Sequence, residues 1–312
     1  MTLRIGYLLP TRESVMEGRP EAGPLMDLAE RAEQLGYDSV WAGDSLLARP
    51  RHEPITLLAG VAGRTRRVQL GTAVLLPMLR NPVLLAHQVA TLDQVSAGRV
   101  ILGVGIASDV PNIRAEFRSA GVPFEKRVGT LMEGMRLCKA LWTGKPVDWD
   151  GRWHVEQGVI GPTPHQPGGP PIWGGGSAPA ALQRAGRSFD GWFPNGPDST
   201  LWGVQWRQVQ AIAREAGRKP DDLTAAVYLT LAVDENAARA EQRMSEFMSA
   251  YYGPRSDVPK KRQACFVGSA GEAAEWLNGY VQQGARHLVL RFAGDHEKHL
   301  ETIARLRESL RP

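Results

Sequence analysis

The chain has 312 residues, 43% of them hydrophobic and 22% charged, which excludes a disordered, collagen-like or disulfide-stapled chain. Its 37 Lys and Arg against 33 Asp and Glu leave a formal charge of +4. The basic residues are scattered, without the stripe that nucleic-acid binding requires.

Apolar strands and amphipathic helices alternate from end to end. Residues 3–9 (LRIGYLL) read as a strand that stops at Pro10, and residues 24–36 as a helix closed by Gly36. A short strand follows at 38–42, then a helix at 54–65 with Pro54 in its first turn. Residues 68–76 (VQLGTAVLL) form a nearly continuous apolar strand, the pattern of a parallel sheet buried on both faces. A helix at 82–96, a strand at 100–104 and a long helix at 127–142 come next. Strands at 170–175, 190–194, 223–233 and 286–292 alternate with helices at 178–187, 199–217, 235–250, 271–283 and 296–310.

Eight strands, each followed by a helix, predict an α/β fold of the (β/α)8 TIM-barrel type. The chain is read as one domain, 1–312, because such barrels run to about 250 residues and more. Three insertions interrupt the repeat, near 105–126, 146–169 and 251–268. The middle one contains a short hairpin pattern, VDWDGRWHVEQG. Loops of this length are commonly binding walls or lids. Trp149, Trp153, Tyr251, Tyr252 and Phe266 lie in them as candidates to wall an apolar pocket, or to pack the insertions down. The two cysteines, Cys138 and Cys265, have no zinc-ligand spacing and read as free thiols. Neither HExxH nor a carboxylate cluster suggests a metal centre. The N-terminal apolar run is too short for a signal peptide, and no stretch reaches about 18 apolar residues, so a cytoplasmic protein is expected.

A barrel carries its chemistry at the C-terminal strand ends. The most informative segment there is GGGSAPAALQRAGR (174–187), three glycines and a serine between a strand and a helix. Glycine lets an anion approach backbone N–H groups at a helix N-terminus, so Gly175, Gly176 and Ser177 are candidates to hold a phosphate. Ser177 is also the expected N-cap. A second glycine-rich turn, GVGIAS (103–108), reads as backbone that a flat ring approaches, since Pro111 interrupts any long helix directly after it. Taken instead as a dinucleotide fingerprint it requires an acidic residue about 20 positions on. Glu125 is there, but in a loop. Asp44 ends a strand, as a candidate cofactor contact or base. Ser45 has no base partner in sequence, and His52 falls in a loop.

Several segments together resemble the bacterial luciferase-like monooxygenase superfamily: AERAEQLGYDSVWAGD (29–44), TRRVQLGTAVL (65–75), NPVLLAHQVATLDQVSAGRVILGVG (81–105), RVGTLMEGMRLCKALW (127–142) and PPIWGGGSAPAALQRAGRSFDGWF (170–193). The resemblance implies a (β/α)8 barrel with extra segments that uses FMN or the 5-deazaflavin coenzyme F420. It places a non-prolyl cis peptide beneath the ring, between Ala73 and Val74. It places Asp44 near the ring, with Gly105, Ile106 and Ala107 as ring-lining backbone. Gly175, Gly176 and Ser177 match the phosphate turn, and Asn195 falls at a further cofactor-contacting strand end. Many members carry Asp-His where this chain has Asp44-Ser45, so the family's acid/base histidine is replaced. Serine does not carry protons near neutral pH. His52, Asp109, Glu116 and Arg291 are the candidates to do so instead.

The expected function is oxidation–reduction of a small organic substrate, by hydride transfer with the deazaflavin or by monooxygenation with FMN. Asp44, Ser45 and His52 are the candidate catalytic residues. Arg49, Arg51, Arg80 and Arg114 are candidates to meet a long anionic deazaflavin tail. The resemblance also implies a homodimer and, for the oxygen chemistry, a separate reductase. The alternative is a flavin-binding carrier without turnover, which the missing histidine favours.

Overall fold

The structure is a computed structural model and describes residues 2–253 and 263–310. Eleven strands and eleven α-helices are present among them. The strands are β1 (Arg4–Leu8), β2 (Ser39–Ala42), β3 (Gln69–Thr72), β4 (Val100–Val104), β5 (Val147–Asp150) and β6 (His154–Gly158). They continue as β7 (Ile172–Gly174), β8 (Gly191–Trp192), β9 (Thr224–Val233), β10 (Cys265–Gly268) and β11 (His287–Phe292). The hydrogen-bonded order is β10–β9–β11–β1–β2–β3–β4–β7–β8, and β9 also pairs with β8. This is the expected (β/α)8 barrel, with β10 added beside β9. No helix among the described residues is long and apolar enough to cross a membrane.

The chain divides into two compact units. One comprises residues 1–10, 27–41 and 173–312. It holds β1, β7 to β11 and most of α2 (Gly23–Gln34) and β2, with helices α7 (Pro179–Ser188), α8 (Ser199–Glu215), α9 (Ala237–Tyr252), α10 (Ala270–Gln282) and α11 (His296–Leu306). Its parallel register runs Gly6↔Ser39 and Gly6↔Val289, and Arg291↔Thr230. Alternate residues of these strands pack an aromatic core. Trp41, Trp173 and Phe193 meet at ring separations of 4.9–5.9 Å, with His287 beside both tryptophans. Gly6 is required here: a Cβ on it would lie 2.3 Å from Ser39 Oγ and 2.6 Å from Trp41 Nε1. Gly6→Ala therefore overpacks this core and is expected to cost about 1–3 kcal/mol in urea unfolding.

The second unit comprises residues 11–26 and 42–172. It holds β3 and β4, with Leu70↔Val100 and Gly71↔Ile101 in register. Its helices are α1 (Glu13–Met16), α3 (Pro54–Arg64), α4 (Pro82–Val95), α5 (Pro111–Ser119) and α6 (Arg127–Leu141). Asn81 caps α4, its side chain accepting from Val83 N–H at 2.9 Å and Pro82 sitting in the first turn. The hairpin expected near 146–169 is β5–β6, antiparallel, with Trp149 opposite Val155. Trp149 Nε1 donates to Glu133 Oε1 at 3.5 Å and Trp153 packs at Gly134, so these two aromatics fasten the hairpin onto α6.

Two expectations are corrected. The segment 105–126 contains helix α5, and Pro111 starts it rather than interrupting it. Proline's missing N–H is no loss at the first helical position. In the 251–268 segment, β10 pairs with the upper half of β9, Cys265↔Thr230 through Gly268↔Val233. Residues 254–262 of that segment lie outside the described residues.

Candidate active site

The first group of site residues lies in the second unit. The backbone leaves β2 through Gly43 and Asp44. The Asp44 carboxylate is 1% exposed and takes a bidentate pair of bonds from Arg80, at 2.6 and 3.0 Å. Leu76 N–H adds a third at 2.8 Å. Arg80 also reaches Glu53 at 2.9 Å. Burial disfavours the Arg80 charge, but the Asp44 and Glu53 bonds outweigh it and hold its pKa above the ordinary guanidinium value. Burial raises the Glu53 pKa, while bonds from Thr56 and Arg80 bring it below the ordinary carboxylate value. Gly43 leaves room for the Arg51 guanidinium, since a Cβ there would lie 2.2 Å from Arg51 NH1.

Past β3, the Ala73–Val74 peptide bond is cis, where the family resemblance placed it. Leu75 N–H donates to Gly103 O and Gly105 N–H to Leu75 O, so the two strand ends run together. Gly105 packs on Val74, where a Cβ would come within 2.6 Å of Val74 Cγ2. Ala107 follows at φ 61°. Arg127 Nε donates to Ile106 O at 3.1 Å and fixes that carbonyl. The structure thus brings Asp44, Ala73, Val74, Gly105 and Ile106 together.

Ser45 and His52 are differently placed. Ser45 Oγ donates to Glu116 Oε1 at 2.7 Å, and that oxygen also receives the N–H groups of Leu46, Leu47 and Ala48. Glu116 is 1% exposed, so this is a buried carboxylate cradling the 45–48 turn. The His52 ring nitrogens lie 3.2 and 2.7 Å from the carbonyl oxygens of Thr11 and Pro20. Asp109 pairs with Arg114, which also reaches Glu125, on the exposed surface. The dinucleotide reading of GVGIAS loses its acidic residue to that pair. Glu116→Gln weakens four hydrogen bonds at once. It is expected to cost about 1–3 kcal/mol and to speed amide exchange at Leu46–Ala48.

The second group lies in the first unit. Gly176 adopts φ 96°, which glycine tolerates without a Cβ penalty. Trp192 Nε1 donates to Gly176 O at 2.9 Å, and Gln205 Nε2 to Ser177 O at 3.2 Å. Ser177 Oγ donates to Gly196 O at 3.3 Å, so Ser177 is not the N-cap. That position is Ala178, with Pro179 beginning α7 and no side-chain cap. Among the described residues, none accepts a hydrogen bond from the N–H groups of Gly176, Ser177 or Ala178. Such a turn is built to receive an anion. Asn195 O accepts from Ala264 N–H at 3.0 Å.

Arg291, on β11 and 2% exposed, is bonded to Thr230 Oγ1 and Gln263 Oε1 and surrounded by the rings of Tyr228, Phe247, Tyr251 and Tyr252. Phe266 packs on Trp276. Sequence reasoning missed Trp192, Gln205 and Arg127. Each holds a site carbonyl from a distant element, which no local pattern signals.

The luciferase-like monooxygenase family model matches residues 3–310. The chain is 30% identical over 309 residues to the F420-dependent glucose-6-phosphate dehydrogenase of Nocardia farcinica, covering 90% of this chain and 91% of that one. It is 32% identical over 213 residues to the 5,10-methylenetetrahydromethanopterin reductase of Methanolobus tindarius, covering 68% and 62%. A solved F420-dependent secondary alcohol dehydrogenase superposes over 100% of both chains with TM-score 0.85 at 20% identity. A match over nearly the whole chain, on a fold that superposes end to end, makes this protein a member of the luciferase-like monooxygenase family and an oxidoreductase.

Proposed function

We propose that the protein binds the deazaflavin coenzyme F420 and passes a hydride between it and a small organic substrate. The observation that carries this reading is the Gly176–Ala178 turn, whose N–H groups are left for an anion while its carbonyls are tied back. The turn suits the phosphate of either F420 or FMN. The relatives' names favour the deazaflavin. When bound, the deazaflavin supplies a ring that accepts and returns a hydride.

The chain's own residues would orient and enclose. Gly176, Ser177 and Ala178 would hold the phosphate, with Asn195 at the next strand end. Ala73, Val74 and the Gly105–Ala107 backbone would form the floor for the ring, kept in place by Asp44, Arg80 and Arg127. In this reading Asp44, Ser45 and His52 serve as positioning residues. The Asp44 carboxylate is fully bonded, and the Ser45 hydroxyl is spent on Glu116. Arg80 and Arg114 are likewise engaged in pairs, with Asp44 and Glu53 and with Asp109 and Glu125. The reading includes a homodimer in a reducing compartment, where Cys138 and Cys265 stay free thiols.

The test is turnover without oxygen. Purified protein with oxidised F420 and a panel of secondary alcohols and sugar phosphates is expected to bleach the deazaflavin absorbance with at least one substrate. Oxygen-dependent product formation with reduced FMN, and no bleaching with F420, would replace hydride transfer by monooxygenation. Binding without turnover of any substrate would favour a carrier.

A further inference from the structure

We propose that Gln205, on α8, is a positioning residue that sets the Gly176–Ala178 turn to receive a phosphate. The inference rests on the cofactor reading above and deepens it. In a trans peptide the carbonyl and the following N–H point to opposite sides. Trp192 holds the Gly176 carbonyl, and that bond fixes the direction of the Ser177 N–H. Gln205 holds the Ser177 carbonyl, and that bond fixes the direction of the Ala178 N–H. Two side-chain donors behind the turn thus aim two backbone donors away from themselves.

A second observation concerns the other end of the same amide. Gln205 Oε1 is buried and has no hydrogen-bond partner among the described residues. Its orientation is set by Ser177, because the flipped amide would oppose two acceptor oxygens. Trp192 stacks on Trp202 and Trp206 at 5.5 and 6.5 Å, so its replacement would also disturb packing. Gln205 is only partly buried and is the cleaner probe.

The experiment titrates wild type and Gln205→Met with F420 and with its phosphate-free deazaflavin nucleoside, following fluorescence. Methionine keeps the side-chain length and removes both amide groups. The expected result is a Kd for F420 raised about tenfold, with the Kd for the phosphate-free ligand unchanged. In turnover, KM for F420 should rise at constant kcat. Gln205→Glu, which sets a carboxylate against the turn, should weaken F420 further and again spare the nucleoside. Equal weakening of both ligands would overturn the inference, as would an unchanged F420 Kd in Gln205→Met. Failure of wild type to bind F420 at all would overturn the cofactor reading and this inference with it.

Discussion

Arg80→Leu is expected to destabilise the protein by about 3–5 kcal/mol, because it strands a buried carboxylate. Asp44 is 1% exposed, and Arg80 supplies two of its three hydrogen bonds. The bond from Arg80 to Glu53 adds little to that figure, since Glu53 is 41% exposed and water replaces its partner. The comparison that isolates the mechanism is the double variant Asp44→Leu with Arg80→Leu. Removing both charges leaves only the Leu76 N–H without a partner, so the double variant should be more stable than Arg80→Leu alone. Urea unfolding of wild type, the single variants Asp44→Leu and Arg80→Leu, and the double variant reads this directly. An Arg80→Leu loss below about 1 kcal/mol would mean that the pair is solvated and does not organise the β2 and β3 ends.

Acid should destabilise the fold well above the range where carboxylates titrate. His287 is 1% exposed, with its Nε2 2.7 Å from Ser39 Oγ. Trp41 Nε1 donates to the same oxygen at 2.7 Å. Burial, with a smaller contribution from the Arg4 charge, brings the His287 pKa down to about 3. The unfolded chain therefore binds a proton that the native state refuses. This stability is complete above about pH 6.5 and is lost as pH falls towards 3. At pH 5 the share of His287 alone is about 2 kcal/mol. His296, which bonds Tyr7, and His299 are shifted in the same direction by burial, so the total loss is larger. Stability at pH 7.5 and pH 5 should differ by about 2 kcal/mol less in His287→Gln than in wild type. Equal differences in the two proteins would show that His287 is protonated in the native state.

The barrel was legible because its strands are short apolar runs closed by helices of the right period. Residues 100–104 and 286–292 read as strands, and Val100–Val104 and His287–Phe292 are buried throughout. Helix α5 was not legible, because Pro111 looks like a breaker until the chain before it is known to be extended. Strand β10 was missed because its four residues pair with the far half of a ten-residue strand. The anion turn announced itself through its glycines, with the cap one residue later than expected. Partnerships across the fold were not readable. Arg80 looked like a rim charge and Glu116 like a proton carrier. Only the fold brings Arg80 to Asp44, 36 positions away, and Glu116 to Ser45, 71 positions away.

The central claim is the identity of the cofactor. Titrating the purified apoprotein separately with F420 and with FMN, by fluorescence, tests it most directly. Tight binding of F420 with much weaker binding of FMN is the predicted result. Preference for FMN would contradict it and return the protein to oxygen chemistry. Binding of neither would remove the roles given to Asp44, Ala73 and Ser177.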